Sequence, residues 1–275
     1  YIHMVEAGEA SGQLETVLFS LVDHLEREFE LKKKVTGAMT YPAVIVVVAI
    51  AVVFILMTAV IPQFLTIFTD AGMELPVLTR VLIATSDMFT EYWYIILLLL
   101  TGTVGGIRFL YNTPKGRQSI DRILYNLKII GPVIQKLASA RFSRTLATLL
   151  NSGIMIIPSL EMVERVVGNT IIASAIAEAR LNITQGTGLA KPLIEKGVFP
   201  PMVTQMITVG EETGELSRLL EQVADFYEKE AGYAIETLTS LIEPAIIIVL
   251  GVVVAIIVAA IMIPMFEMSS GATIK

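Results

Sequence analysis

Two kinds of hydrophobic pattern alternate along the chain. From Leu14 to Phe29 the apolar residues Leu14, Val17, Leu18, Leu21, Leu25 and Phe29 recur at helical spacing, which predicts an amphipathic helix with one apolar face. Asp23, Glu26, Glu28 and Glu30 fall largely outside that stripe, and Lys32-Lys33-Lys34 closes it. The periodicity then gives way to an uncharged run from Val35 to Thr69, almost purely aliphatic between Ala43 and Ile61. A helix rises about 1.5 Å per residue and a bilayer core is about 30 Å thick, so this run predicts a spanning helix. A second uncharged block, Tyr92 to Ile107, has only 16 residues before Arg108, short for a span on its own. Tyr92, Trp93 and Tyr94 nevertheless suit a headgroup layer and Arg108 can snorkel, so a second span is predicted. The third run, Pro244 to Phe266, has 23 residues without a charge. Between the first two runs, residues 70–91 read as a polar loop with four acids, one base and Pro76. Residues 137–243 show periodic apolar runs broken by Asn151-Ser152-Gly153, Gly168-Asn169, Gln185-Gly186, Gly197 and Gly210, which predicts six helices at about 137–151, 157–167, 169–185, 188–196, 200–209 and 214–243.

These patterns repeat. Gly8 and Gly210, Gly12 and Gly214, Pro42 and Pro244, Pro62 and Pro264, Phe64 and Phe266 all lie 202 positions apart. In each copy a Gly-Glu-x-[Ser/Thr]-Gly turn (Gly8, Glu9, Gly12; Gly210, Glu211, Gly214) precedes an acidic amphipathic helix, a proline and an uncharged run. A gapless register over roughly 60 residues points to an internal duplication. If the second copy begins near Leu137, about 66 residues of the first bundle are expected ahead of Tyr1.

The chain is 54% hydrophobic with a mean hydropathy of +0.71, too apolar for an ordinary soluble domain. Residues 108–144 hold eight bases and one acid, and three lysines precede the first run, which predicts that both flanks are cytoplasmic and residues 70–91 exterior. The predicted fold is an all-α membrane protein: a duplicated cytoplasmic helical bundle, about six helices in the complete copy, with three transmembrane helices. Its parts are a remnant of the first module (1–34), a first span (35–69), an exterior loop (70–91), a second span (92–111), a second module (112–243), a third span (244–266) and an exterior tail (267–275).

The candidate chemistry is sparse. The repeated turn reads either as a helix–turn–helix connection, with glycines at positive φ and Thr213 or Ser11 capping the next helix, or as an acidic corner for a partner. Residues 211–243 carry nine acids against two bases. Glu221, Asp225 and Glu228 share a face by spacing, so a divalent cation is conceivable there, but a solvated or partner-docking surface is favoured. Glu211, Glu212, Glu215, Glu221, Asp225 and Glu228 are the candidate docking residues. Arg108, Lys115, Arg117, Arg122, Lys128, Lys136, Arg141 and Arg144 follow a span, so anionic headgroups explain them better than nucleic acid does. Pro42 and Pro244 stand where each cytoplasmic helix becomes a span and predict a bend. Cysteine is absent, the two histidines are not a ligand pair, and no nucleotide loop or catalytic set stands out, so neither an enzyme nor a cofactor is expected. No acid or histidine lies inside a span, which weakens the rival reading of an oligomeric channel or secondary transporter.

Met39-Thr40-Tyr41-Pro42-Ala43, Val60-Ile61-Pro62-Gln63-Phe64, Ala140-Arg141-Phe142-Ser143-Arg144-Thr145-Leu146, Phe199-Pro200-Pro201, Gly210 to Gly214 and Ile263-Pro264-Met265-Phe266 together resemble the type II secretion F-domain family. The resemblance covers essentially the whole chain. It implies a non-enzymatic platform in the bacterial inner membrane that engages a hexameric assembly ATPase, pilins or pseudopilins and other components of the machine, in a homo-oligomer. The Met-Thr-Tyr-Pro stretch and Val167-Gly168-Asn169 look more like the pilus branch than the secretion branch.

Overall fold

The computed structural model describes residues 14–70 and 75–269, and every described element is a helix. The first copy of the turn, Gly8 to Gly12, lies outside the described residues. Helix α1 spans Leu14–Ile55, a π-helical turn spans Leu56–Val60 and α2 spans Ile61–Asp70. They are followed by α3 (Val77–Glu91), α4 (Trp93–Asn112), α5 (Pro114–Asn126) and α6 (Ile130–Asn151). The chain continues through α7 (Ile156–Val166), α8 (Thr170–Thr184), α9 (Ala190–Lys196), α10 (Pro201–Thr213) and α11 (Leu216–Ser269). Three helical stretches are long and apolar enough to cross a membrane: Leu25–Phe68, Trp93–Asn112 and Leu216–Phe266.

Two compact units divide the chain. One takes residues up to Ala38 together with Leu110–Leu238; the other takes Met39–Phe109 and the chain from Thr239 onward. The first is a helical bundle around fully buried Phe142, Leu146, Leu160, Ile172, Ile176, Leu193, Ile207 and Leu220. The rings of Phe142 and Phe199 meet at 4.7 Å, so the Phe-Pro-Pro stretch closes the core against α6. Burying side chains of this size is the main stabilising term, about 1.5–3 kcal/mol each.

Several boundaries differ from the sequence reading. An additional helix, α5, precedes the predicted six; Thr113 caps it, its hydroxyl accepting from the Gly116 N–H at 3.2 Å, with Pro114 at the first helical position. The fifth predicted helix runs on through the Gly-Glu-Glu-Thr stretch to Thr213. Thr213 is therefore not the cap of the last helix. Its hydroxyl donates to the Val209 carbonyl at 2.7 Å and so belongs to the helix behind it. In α1, Leu21 of the apolar stripe packs on the bundle core, while Leu14, Leu18, Leu25 and Phe29 are exposed. Of their counterparts 202 residues on, Leu220, Tyr227 and Ala231 are buried and Leu216 is partly buried; Leu220 and Tyr227 lie in the cluster formed with α6 to α10.

The second unit holds the apolar ends of α1 and α11 with the π turn, α2, α3 and α4. Met57 and Ile61 gather with Ile257, Ala260 and Leu82 of α3. The segment 70–91, predicted as a loop, thus contains a helix of 15 residues, with Thr79, Leu82 and Ser86 buried. Thr79, Leu82 and Ser86 recur every three to four residues, a helical period that four acids and a proline obscure at the level of composition.

Candidate functional site

The turn from Gly210 to Gly214 closes α10 and leads into α11. Gly214 ends α10 in the left-handed region, φ +75°, which an L side chain rarely adopts. Gly210 is buried inside α10, and a Cβ there would stand 2.7 Å from the Cα of Leu216. One glycine reverses the chain and the other lets α11 return against α10. Between them Glu211, although exposed, is tied to a neighbouring helix. Its carboxylate accepts the Leu189 N–H and, at 3.1 Å, the Ala190 N–H, and so caps the start of α9. A side chain at Gly188 would collide with that carboxylate, at 2.8 Å. The turn is a three-way joint between α9, α10 and α11.

The acidic face of α11 is equally occupied. Glu228 takes a two-pronged grip on Arg144 of α6: Nε donates to Oε1 at 2.8 Å and Nη2 to Oε2 at 3.0 Å, while Nη2 also donates to Asp225. Arg27 of α1 stands 3.9 Å from each carboxylate. The Arg144 side chain is only 8% exposed. Burial alone would disfavour its charge, but the hydrogen bonds and charges of Glu228 and Asp225 outweigh that and hold the group above its ordinary range. About two turns earlier on α6, Lys136 donates to Glu230 at 2.7 Å. Burial, with Glu230 nearby, also raises the pKa of the Tyr227 phenol. Glu215 pairs with Arg218 on the surface. Glu212 and Glu221 are exposed.

The six candidate docking residues are therefore not one surface. Asp225 and Glu228 hold α6, and Glu211 holds α9. Among the described residues no group of three or more acids or histidines could hold a metal ion. The basic segment divides likewise: Arg144 and Lys136 are bound to α11, and Arg117 approaches Asp121 at 4.0 Å and lies over the Tyr111 ring. Asp121, 3% exposed, accepts the Thr170 N–H at 2.8 Å, and Asn169 accepts from the Ile171 and Ile172 N–H groups. The Val-Gly-Asn stretch thus starts α8. Nothing in the sequence singled out Asp121; its signal was its isolation as one acid among eight bases.

Pro42 and Pro244 both lie within continuous helices. Beside them, in the second unit, the Tyr41 hydroxyl donates to Glu243 at 3.2 Å, two residues that stand 202 apart.

The described chain is an α-helical bundle with three helical stretches long and apolar enough to cross a membrane. The family description "Type II secretion system (T2SS), protein F" matches residues 1–62 and 142–264, two stretches whose ends lie at the repeat spacing. The chain is 45% identical over 268 residues to the type IV pilus assembly protein PilC of Thermus thermophilus, covering 97% of this chain and 66% of that protein. It is 36% identical over 275 residues to PilC of Pseudomonas aeruginosa, covering 98% and 72%. The type II secretion system protein F of Aeromonas hydrophila is 36% identical over 269 residues, covering 97% and 69%. The chain belongs to the type II secretion system protein F family, and it spans about two thirds of the length of these relatives.

Proposed function

We propose that the chain is an inner-membrane platform of a type IV pilus or type II secretion machine, a non-enzymatic scaffold that couples a hexameric cytoplasmic ATPase to the movement of pilins or pseudopilins into a filament. The observation that carries this reading is the extent of the match: 97–98% of the chain aligns with proteins named for pilus assembly or type II secretion. The bundle with residues 1–34 and 115–243 faces the cytoplasm, and residues 70–91 and 267–275 the exterior, as the charge bias requires. Copies of the chain assemble with one another. Docking of the ATPase or a neighbouring subunit falls on the outward acids Glu212 and Glu221, since Glu211, Asp225 and Glu228 already serve the bundle. Pro42 and Pro244 transmit bundle movement to the tilt of the spans.

The test is loss of the gene followed by complementation. Filament growth disappears on deletion and returns with the wild-type chain, and reconstituted vesicles show no ion conductance; conductance with normal filaments in the deletion strain would overturn the proposal. The Glu212→Lys, Glu221→Lys variant should co-purify with less ATPase at low salt, while its bundle melts as the wild type does. For topology, Ser217→Cys labels with an impermeant maleimide only after the membrane is opened, whereas Asp87→Cys labels in spheroplasts.

A further inference from the structure

Helix α3 has three distinct sides. Thr79, Leu82 and Ser86 are buried, with Ile83 and Phe89 partly buried beside them. Directly opposite, Val77, Val81, Ala84 and Met88 follow one another at helical spacing and are all exposed, Val77 by 74%, Val81 by 59% and Met88 by 58%. Arg80, Asp87 and Glu91 form a third stripe along one edge. A helix that is buried on its inner side, apolar and exposed on its outer side and charged along one edge does not fit a water-filled space.

Its depth can be read from its contacts. The Thr79 hydroxyl donates to the Ala260 carbonyl of α11 at 2.7 Å, and the Ser86 hydroxyl donates to the Met57 carbonyl in the π turn. The Phe89 ring meets Phe54 edge-on at 6.4 Å. Tyr41 and Glu243 set α1 and α11 level with each other at the repeat spacing, so Ala260 is level with Thr58, beside Met57. Helix α3 therefore crosses both helices at nearly one height, in the plane across them. Between Tyr41 and Met57 a helix rises about 24 Å, less than the roughly 30 Å of hydrocarbon that the uncharged runs imply. The hydroxyls meet main-chain carbonyls, as polar groups at that depth must. The uncharged run that follows, Tyr92 to Ile107, is itself about 24 Å long, which suffices only if α4 starts below the far surface of the membrane.

We infer that α3 is a membrane-embedded helix lying in the plane of the bilayer just inside its far boundary, with Val77, Val81, Ala84 and Met88 in contact with lipid and Arg80, Asp87 and Glu91 at the headgroups. The inference rests on the three long apolar helices being spans, and it is independent of which side of the membrane α3 occupies. Apolar outer faces with a charged edge are what interfacial helices present to lipid.

The chain has no cysteine, so one introduced residue gives one label. Val81→Cys, Ala84→Cys, Met88→Cys and Asp87→Cys are each purified as the full chain, spin-labelled and reconstituted in phosphatidylethanolamine–phosphatidylglycerol vesicles with a water-soluble nickel chelate on both sides. At 81, 84 and 88, collision with oxygen exceeds collision with the chelate at least fivefold, and at 87 the order reverses. Chelate access at 81, 84 and 88 equal to that at 87 overturns the inference. So does shielding of these positions in native membranes combined with full chelate access in the vesicles, because a protein partner and not lipid would then cover the face. Wrong sidedness of the whole chain, seen by the maleimide labelling above, changes none of these ratios.

Discussion

The two units join their helices by different chemistry. In the bundle the joints are ionic: Arg144 with Asp225 and Glu228, Lys136 with Glu230, and the Glu211 carboxylate on the first N–H groups of α9. In the unit built from the apolar helices, past the Tyr41–Glu243 contact at the start of the uncharged runs, they are neutral hydroxyls on carbonyls, Thr79 to Ala260 and Ser86 to Met57, around a small aliphatic cluster. The difference follows from the solvent. A half-exposed carboxylate keeps part of its hydration while it holds a buried guanidinium, so an ion pair at a bundle's flank is affordable, whereas in hydrocarbon the same charge has no water to return to. Hydroxyls carry one donor and lose little when that donor is satisfied.

Substitutions can break or sharpen this contrast. The largest effect belongs to the bundle's own core: Phe142→Ala should destabilise the bundle by about 3–5 kcal/mol, seen as accelerated hydrogen exchange in α6 to α8. Placing a charge where hydroxyls operate, Leu82→Lys, should cost about 3 kcal/mol and lower the yield of folded protein in membranes, with the bundle's exchange unchanged. Arg144→Ala strands two carboxylates that can partly rehydrate, so a loss of about 2 kcal/mol is expected; Arg144→Met should recover part of it, as a melting series in detergent would show. Ser86→Ala should cost only about 0.6 kcal/mol, and a larger loss would mean that the π turn depends on this hydroxyl. Arg27→Ala, at 3.9 Å from both carboxylates and partly exposed, should change stability least, by under about 0.5 kcal/mol.

Much of the fold was legible because hydrophobic period and charge report burial directly. The three apolar runs and most of the bundle helices could be placed from them, and Gly214 met the expectation of a glycine at positive φ. Helix α3 escaped because the segment around it, residues 70–91, reads as polar with its four acids and Pro76, while a buried face made of a threonine, a leucine and a serine carries little hydrophobic signal. The acidic face of α11 was legible as a face but not as a joint. Spacing shows that Asp225 and Glu228 lie together; only the fold shows Arg144, 81 and 84 residues earlier in the chain, arriving between them. Glu211 escaped for the same reason, since the N–H groups it caps belong to α9.

The Tyr41–Glu243 hydrogen bond joins the two positions that the 202-residue spacing makes equivalent. In a pair of identical subunits related by a two-fold axis, a residue on that axis meets its own copy, tyrosine against tyrosine or glutamate against glutamate. Two glutamates so placed would repel, and two phenols would compete to donate. Two segments carried on one polypeptide escape that constraint, because each can mutate without the other. A donor can then face an acceptor at the centre of the contact, a pairing that a symmetric dimer has no means to encode.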